Sequence, residues 1–347
     1  DQTISAIWEV NKKAIWLKKL GRTGAIAGTF YAKVLPDEYG DGMHRLVSLD
    51  PMQMEIITHP QDIETVIEYR QTWPVFERGA NGEIEQGYLR RERTRRKIAK
   101  DGQTDVLEYL DAWEIVLEEK SKRTADKWRE IKTTEWKTDS GDYYTFPPVL
   151  HGQNLPVDDS PYGESDLEDL IPIQDRLNYI VSNISKIIRH HAHPKTVVTG
   201  GSLREAGASK TQNNAGAKGG ATPVLGADTL IEFSNPDAKV FNLEMESDLI
   251  SSMAFLNFLV ESLYDLSDTV NMATIKDKLG QLTNFGLKVL YKDAIDKLQD
   301  KRDLYGAFLE ELNWRMLALN YGEGAIERGS IAVVWPSDVM PQDDREE

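Results

Sequence analysis

The stretch 248–267 constrains this chain most. Leu249, Ile250, Met253, Phe255, Leu256, Phe258, Leu259, Val260, Leu263 and Leu266 fall within it, and Ser247 precedes it as an N-cap. At 3.6 residues per turn these side chains surround a helix instead of lining one stripe. A helix without a polar face has to be covered on several sides, inside a domain or between subunits. No run in the chain approaches the ~20 consecutive apolar residues of a membrane span, so none is expected.

Two more long helices are predicted around it. Ser165 and Glu168 have the spacing of a capping box, and Leu167, Leu170, Ile171, Gln174, Leu177, Val181, Ile184 and Ile188 follow at helical intervals. This helix, 165–192, would be about 40 Å long and end ahead of Pro194, with Pro172 bending its start. The other, about 286–320, is amphipathic through Leu287, Leu290, Ile295, Leu298, Tyr305, Leu309, Leu312 and Met316, and stops near Gly322. Between the first two helices, Lys195–Thr199, Thr229–Phe233 and Ala238–Leu243 read as strands. Residues 200–226 hold almost no large apolar side chain and read as a flexible loop. A polar break with Gly280 and Asn284 spans 268–284.

The first 160 residues read as α+β. A helix over 3–20 leads through Gly21-Arg22-Thr23-Gly24 into a β-leaning run, Ala25–Leu35, closed by a Pro- and Gly-rich turn at 36–42. Strands are expected at 44–49, 53–58 and 63–73. In the last, Ile67, Tyr69 and Trp73 share one face. Asn81-Gly82 is a hairpin turn signal, with strand-like segments near 104–118 and a polar, mixed region over 124–136. Phe146–His151 is extended, because each proline pushes its predecessor out of the α region. A final strand, Ser330–Trp335, leads to an acidic tail. The opening residues resemble the interior of a helix and the tail looks truncated, so the sequence is expected to belong to a longer protein.

Composition narrows the chemistry. With no cysteine, disulfides, iron–sulfur clusters, thiolate zinc and cysteine nucleophiles are excluded. A net charge of −16 does not suit a protein that grips nucleic acid by neutralising phosphates. It suits a wall past which DNA slides, or simply a soluble surface. Ala217–Thr222 has the residue types of a phosphate loop in the wrong order, since Gly, Lys and Ser/Thr do not follow one another directly. His190, His191 and His193 crowd a helix end, where they complement the dipole, and no carboxylate–histidine spacing completes a metal site. Arg90–Lys97 is the basic block. It reads as a solvated hairpin or strand edge, as a nucleic-acid or acidic-partner contact, or as a patch pairing with a neighbouring subunit. No catalytic signature, metal site or cofactor motif emerges, and the chain is read as a non-enzyme.

Four features, taken in order, resemble the portal proteins of tailed bacteriophages. Phe146-Pro147-Pro148-Val149-Leu150-His151 followed by Asn154 is similar to that family's extended Pro-Val-hydrophobic…Asn segment. Pro161-Tyr162-Gly163-Glu164-Ser165-Asp166-Leu167, continuing to Gln174-Asp175-Arg176-Leu177-Asn178, looks like its Gly-x-Ser-x-Leu helix start with a downstream Asp-x-Leu-Asn. The order long helix, small β unit with a loop, long helix, interrupted loop, very long helix is shared. Ile331–Pro336, ending in an acidic stretch, resembles a closing strand and Pro-x-Asp. Gly28–Val34 also looks like the family's wing strand.

The resemblance implies an α+β portal-like fold: a mixed α/β wing, two long stem helices, a small β clip and a long wing helix, with the crown absent or truncated. Residues 1–160 would form the N-terminal part of the wing, 161–193 a stem helix, 194–243 the clip, and 244–267 the second stem helix. Residues 268–284 would form the tunnel loop, and 285–347 the wing helix and final strand. It further implies a homo-oligomeric ring, twelve subunits in the family, serving as the head–tail connector for DNA packaging and ejection. The ring would sit at the capsid vertex of the virion after assembly in the host cytoplasm. Double-stranded DNA would pass without sequence specificity. Terminase, neck, capsid and scaffolding proteins would be partners, and neither cofactor nor membrane is implied. Channel-facing candidates are Asn271, Thr274, Lys276, Lys278 and Gln281, with Met272, Ile275 and Leu279 as apolar bumps of the constriction. Arg204, Lys210 and Lys218 are candidates for motor docking. Two rival readings are another head–tail adaptor or structural ring protein, and an enzyme with an unrecognised site.

Overall fold

The structure is a computed structural model that describes residues 2–37, 43–78, 84–99, 108–120, 127–138, 140–192, 195–199, 239–243, 249–271 and 284–336. The chain forms two compact units: Asp1–Ile171 with Tyr264–Glu347, and Pro172–Leu263.

The larger unit opens with two helices where one was expected, α1 (Gln2–Val10) and α2 (Lys13–Ala27). Lys12 adopts a left-handed φ of 53° between them. Asn11 stabilises the break. Its amide donates to the carbonyls of Ile7 and His44, both at 2.8 Å, and its Oδ1 accepts from the Leu46 amide at 2.8 Å. The expected strand start at Ala25 is also corrected, because helical hydrogen bonding continues to Ala27 and the chain turns out at Gly28, φ 77°. Gly24 lies under the Tyr305 ring, whose Oη would sit 2.1 Å from a Cβ at that position.

Strand β1 (Thr29–Leu35) then runs between β2 (Arg45–Leu49) and β8 (Val149–Gln153) in an antiparallel sheet of order β2-β1-β8. Phe30, Ala32 and Val34 face a core with Ile7, Trp8, Trp16 and Leu20, while Tyr31 faces a second cluster with Leu49, Met54, Ile56, Tyr69 and Val149. With both faces covered, β1 is almost continuously apolar and does not alternate.

The second sheet is an antiparallel meander of β3 (Met54–His59), β4 (Asp62–Arg78), β5 (Ile84–Ala99), β6 (Glu108–Lys120) and β7 (Arg129–Trp136), in that order. The Arg78↔Ile84 pair closes the β4–β5 hairpin around Asn81-Gly82, which lie outside the described residues. Strand β7 corrects the polar, mixed region expected over 124–136. It is an edge strand whose residues are exposed up to Trp136, so its sequence carries no apolar alternation.

The basic block is likewise corrected. It is no sheet edge but one arm of the β4–β5 hairpin, since β5 is the middle strand and carboxylates from both flanking strands meet it. Arg93 makes a bidentate pair with Glu68 on β4 at 2.6 and 2.9 Å and reaches Glu118 on β6 at 3.4 Å. Arg91 pairs with Glu118 at 2.6 Å, Arg95 with Glu114 at 2.6 Å, and Lys97 with Glu135. Burial alone would raise the Glu68 pKa, but hydrogen bonds from Arg93 and Arg70 outweigh it and hold that carboxyl below its ordinary value. The opposite face carries Tyr69 and Ile56, and Trp113 and Trp136, which join Tyr144, Phe146 and Trp314 in a third cluster.

The predicted helix over 286–320 is two helices, α5 (Asn284–Leu290) and α6 (Lys292–Tyr321), separated at Tyr291. Helix α6 supplies Phe308, Leu309, Leu312 and Met316 to the first core. Its buried Arg315 donates to the carbonyls of Pro147 at 2.9 Å and Val149 at 3.0 Å, satisfying acceptors of the proline segment. Residues 330–335 are no strand. They run without a ladder, and the Val333 amide donates to the Glu310 carboxylate at 2.9 Å.

His151 on β8 shares a 2.8 Å hydrogen bond with the Tyr69 hydroxyl, and burial and then the Arg315 charge push its pKa down to about 4. The unfolded chain binds this proton below ~6.5 and the native chain does so only near the lower value, so acid favours unfolding between the two. Stability is expected to fall by about 3 kcal/mol on this account as pH drops from 7 to 4. Urea titrations across that range should show the pH slope flattened by about one proton in His151→Gln.

In the smaller unit, β9 (Lys195–Thr199) pairs antiparallel with β10 (Lys239–Leu243), Val197 opposite Phe241. The two long helices lead into and out of this unit: α3 (Leu170–Ala192) and α4 (Leu249–Leu266). Helix α3 starts later than the capping box implied. Ser165 Oγ accepts from the Leu167 amide at 3.1 Å and donates to the Ala25 carbonyl at 2.9 Å, so it caps only a turn ahead of the helix. Pro172 then falls in the first turn, where its missing N–H is harmless. The predicted strand Thr229–Phe233, the loop 200–226 and Ser247 lie outside the described residues.

Candidate functional site

Along α3, Leu177 and Ile184 are buried and Ile173, Ile180 and Ile187 are half-buried, a stripe with alternating steps of four and three residues. Val181 and Ile188, expected on that stripe, lie off it and are 50% and 52% exposed. Along α4 the inward side holds Leu256, Leu259, Val260 and Leu263. The other side shows Met253, Phe255 and Phe258 to solvent, the two phenylalanines 42% and 59% exposed. Their rings stack with centroids 6.4 Å apart and planes 15° from parallel. One copy of the chain therefore covers α4 along one side only. Monomeric proteins seldom leave such an apolar face in water unless something else covers it.

The roots of these helices are built into the larger unit. Asn154, fully buried at the end of β8, is the hub. Its backbone N–H donates to the Gly28 carbonyl at 2.7 Å, and its side-chain amide donates to the Glu164 carbonyl at 3.3 Å and to Asp166 Oδ1 at 3.2 Å. Its Oδ1 accepts from Lys301 Nζ at 3.2 Å and from the Tyr305 hydroxyl at 2.9 Å. Burial and then the Asp166 carboxylate raise the Tyr305 pKa, so it stays a neutral donor. The segment 161–167 clamps onto the start of β1. Gly163 donates to Thr29 Oγ1 at 2.9 Å, Asp166 N–H to the Ala25 carbonyl at 3.0 Å, and Tyr162 Oη accepts from the Ile56 amide at 2.8 Å. Gly28 and Gly163 pack back to back, since a Cβ on Gly28 would lie 2.2 Å from the Gly163 oxygen.

Of the sequence-derived channel candidates, Asn271 is the last described residue beyond α4. Met272, Thr274, Ile275, Lys276, Lys278, Leu279 and Gln281 lie outside the described residues, as do Arg204, Lys210, Lys218 and His193. His190 and His191 belong to the last turn of α3. No group of three or more potential metal ligands, and no helix long and apolar enough to cross a membrane, occurs among the described residues. The arrangement positions helices and presents apolar surface. Sequence reasoning noted Asn154 and Asp166 as parts of motifs without seeing that they meet. It missed Lys297 and Lys301, whose four-residue spacing on a charged helix face carries no distinguishing signal.

The family model described as phage portal protein, SPP1 Gp6-like, matches residues 1–347, the whole chain. No curated protein matches the sequence.

Proposed function

Because this chain belongs to the SPP1 Gp6-like phage portal proteins, we propose that copies of it close into a ring at the capsid vertex, around a channel through which DNA is packaged and ejected. The single observation that carries the ring is the apolar side of α4, left uncovered by its own chain. A heterologous contact repeated around an axis buries such a face in every copy and closes the assembly. Tyr179, Val181 and Ile188, exposed on α3, supply a complementary apolar surface.

In this reading the larger unit is the wing, α3 and α4 are the stem, and 194–243 is the clip against which terminase and later the neck proteins dock, with Arg204, Lys210 and Lys218 toward them. Residues 268–284 narrow the channel, with Asn271, Thr274, Lys276, Lys278 and Gln281 facing the polymer beside Met272, Ile275 and Leu279. The division of the chain at 171/172 and 263/264 supports this partition, because both breaks fall within the two long helices. DNA is handled by shape and charge, without base readout. The net charge of −16 and a basic block already neutralised inside its sheet both disfavour tight phosphate binding. ATP hydrolysis belongs to a separate terminase.

Negative-stain imaging and native mass spectrometry of the purified chain test the proposal. Rings of one stoichiometry, ~12 copies, with a central hole are expected. A monodisperse monomer at micromolar concentration would overturn it.

A further inference from the structure

The two units are joined by only two crossings of the chain, in the first turn of α3 and the last turn of α4. Helix α6 grips the root of each. Lys301 Nζ pairs with the Asp166 carboxylate just ahead of α3 and is itself held by Asn154 Oδ1 at 3.2 Å. One turn earlier, Lys297 Nζ lies 3.4 Å from Asp268 Oδ2 just past α4 and donates to the Ser267 carbonyl at 3.0 Å. It is also 3.9 Å from Asp166 Oδ1, so the two pairs share a carboxylate. The four charges form a chain, Asp268–Lys297–Asp166–Lys301, that spans from one helix root to the other. Beside it opens a cleft of about 370 Å³, lined in part by Leu170, Thr269 and Leu298. The ionic chain links the two roots beside this cleft.

We propose that Lys297 and Lys301 are positioning residues that clasp the roots of the two long helices to α6 and so fix the spacing at which both leave the larger unit. Three features support a dedicated clasp over incidental surface pairing. Asp166, Lys297 and Lys301 keep only 17–22% side-chain exposure, unlike ordinary surface pairs, which are well solvated. The lysines stand at i and i+4, on one face of α6. Each also holds an uncharged partner, Asn154 Oδ1 or the Ser267 carbonyl, which fixes its geometry beyond simple charge attraction. The clasp rests on this geometry alone, while its service to a DNA channel rests on the portal reading.

Hydrogen–deuterium exchange on the full chain tests it, comparing Lys297→Met and Lys301→Met, which keep the aliphatic stem, with Lys297→Arg and Lys301→Arg. Lys297→Met should speed exchange about tenfold over 264–271, and Lys301→Met over 166–173, with 113–117 and 308–316 unchanged. The arginine variants should stay within about twofold of the parent, because the charge is kept. Asp268→Asn should reproduce the Lys297→Met pattern, which keeps the test decisive should Lys301→Met fail to fold. Unchanged exchange at both roots, or an equal rise throughout the larger unit, would sink the clasp. The readout needs neither ring nor DNA, so this outcome is distinct from a failure of the portal reading.

Discussion

Replacing Asn154 with leucine is expected to lower the stability of the larger unit by about 4 kcal/mol, a large share of its margin. The volumes are similar, so the loss is polar. Leucine removes the acceptor for Lys301 and Tyr305 and the donor to Asp166 and the Glu164 carbonyl. Each buried group stripped of a partner costs ~1–3 kcal/mol, more when charged, while the apolar gain recovers only part of it. Domains of this kind have ~5–15 kcal/mol in reserve. Guanidinium titration followed by tryptophan fluorescence measures the change. Trp8, Trp16, Trp113 and Trp314 all sit in the affected unit. A loss below 1 kcal/mol would mean that Asn154 is not the hub its contacts describe.

The second large effect concerns assembly. Phe255→Asp combined with Phe258→Asp should abolish rings while leaving the isolated chain folded. Both rings already face solvent in one copy, so charging them disturbs little at home. Burying a phenylalanine against a neighbour is worth ~1.5–3 kcal/mol, and two per interface make about 4 kcal/mol. That corresponds to roughly a thousandfold in each subunit–subunit dissociation constant, before the cost of burying two carboxylates is added. Light scattering should report monomers, and far-ultraviolet circular dichroism should match the parent. Intact rings from the double variant would remove α4 from the interface.

The sequence carried the helices better than the sheets. Helix α4 was legible because apolar residues on every side of a 3.6-residue period leave no other reading. The β4–β5 hairpin was legible from Asn81-Gly82 and the alternation of Ile67 and Tyr69. The block Arg90–Lys97 was misread because eight mostly charged residues look like an edge, whereas Glu68, Glu114 and Glu118 that neutralise it lie about 20 to 30 positions away. Strand β7 was missed for the converse reason: an edge strand with both faces wet needs no apolar alternation. The breaks at Lys12 and Tyr291 depend on tertiary demands, such as Asn11 bonding to His44 and Leu46, that no local propensity records. At the helix roots the motif residues Asn154, Gly163 and Asp166 stood out in sequence, but their partners Lys297 and Lys301 looked like any solvated lysines.

The first core joins Ile7, Trp8 and Trp16 to Phe308, Leu312 and Met316, residues separated by most of the chain. During synthesis at ~5–20 residues per second, the opening helices therefore wait on the order of 15–60 s before α6 emerges from the ribosome. Through that interval Trp8, Trp16 and the Phe30 face of β1 lack the α6 side of their core, although β2 and β8 are already available to pair with β1. A nascent chain of this design calls for a holdase on α1 and α2, and an arrest peptide fused behind Glu347 through a short linker should register a pulling force that the same peptide placed near 280 does not.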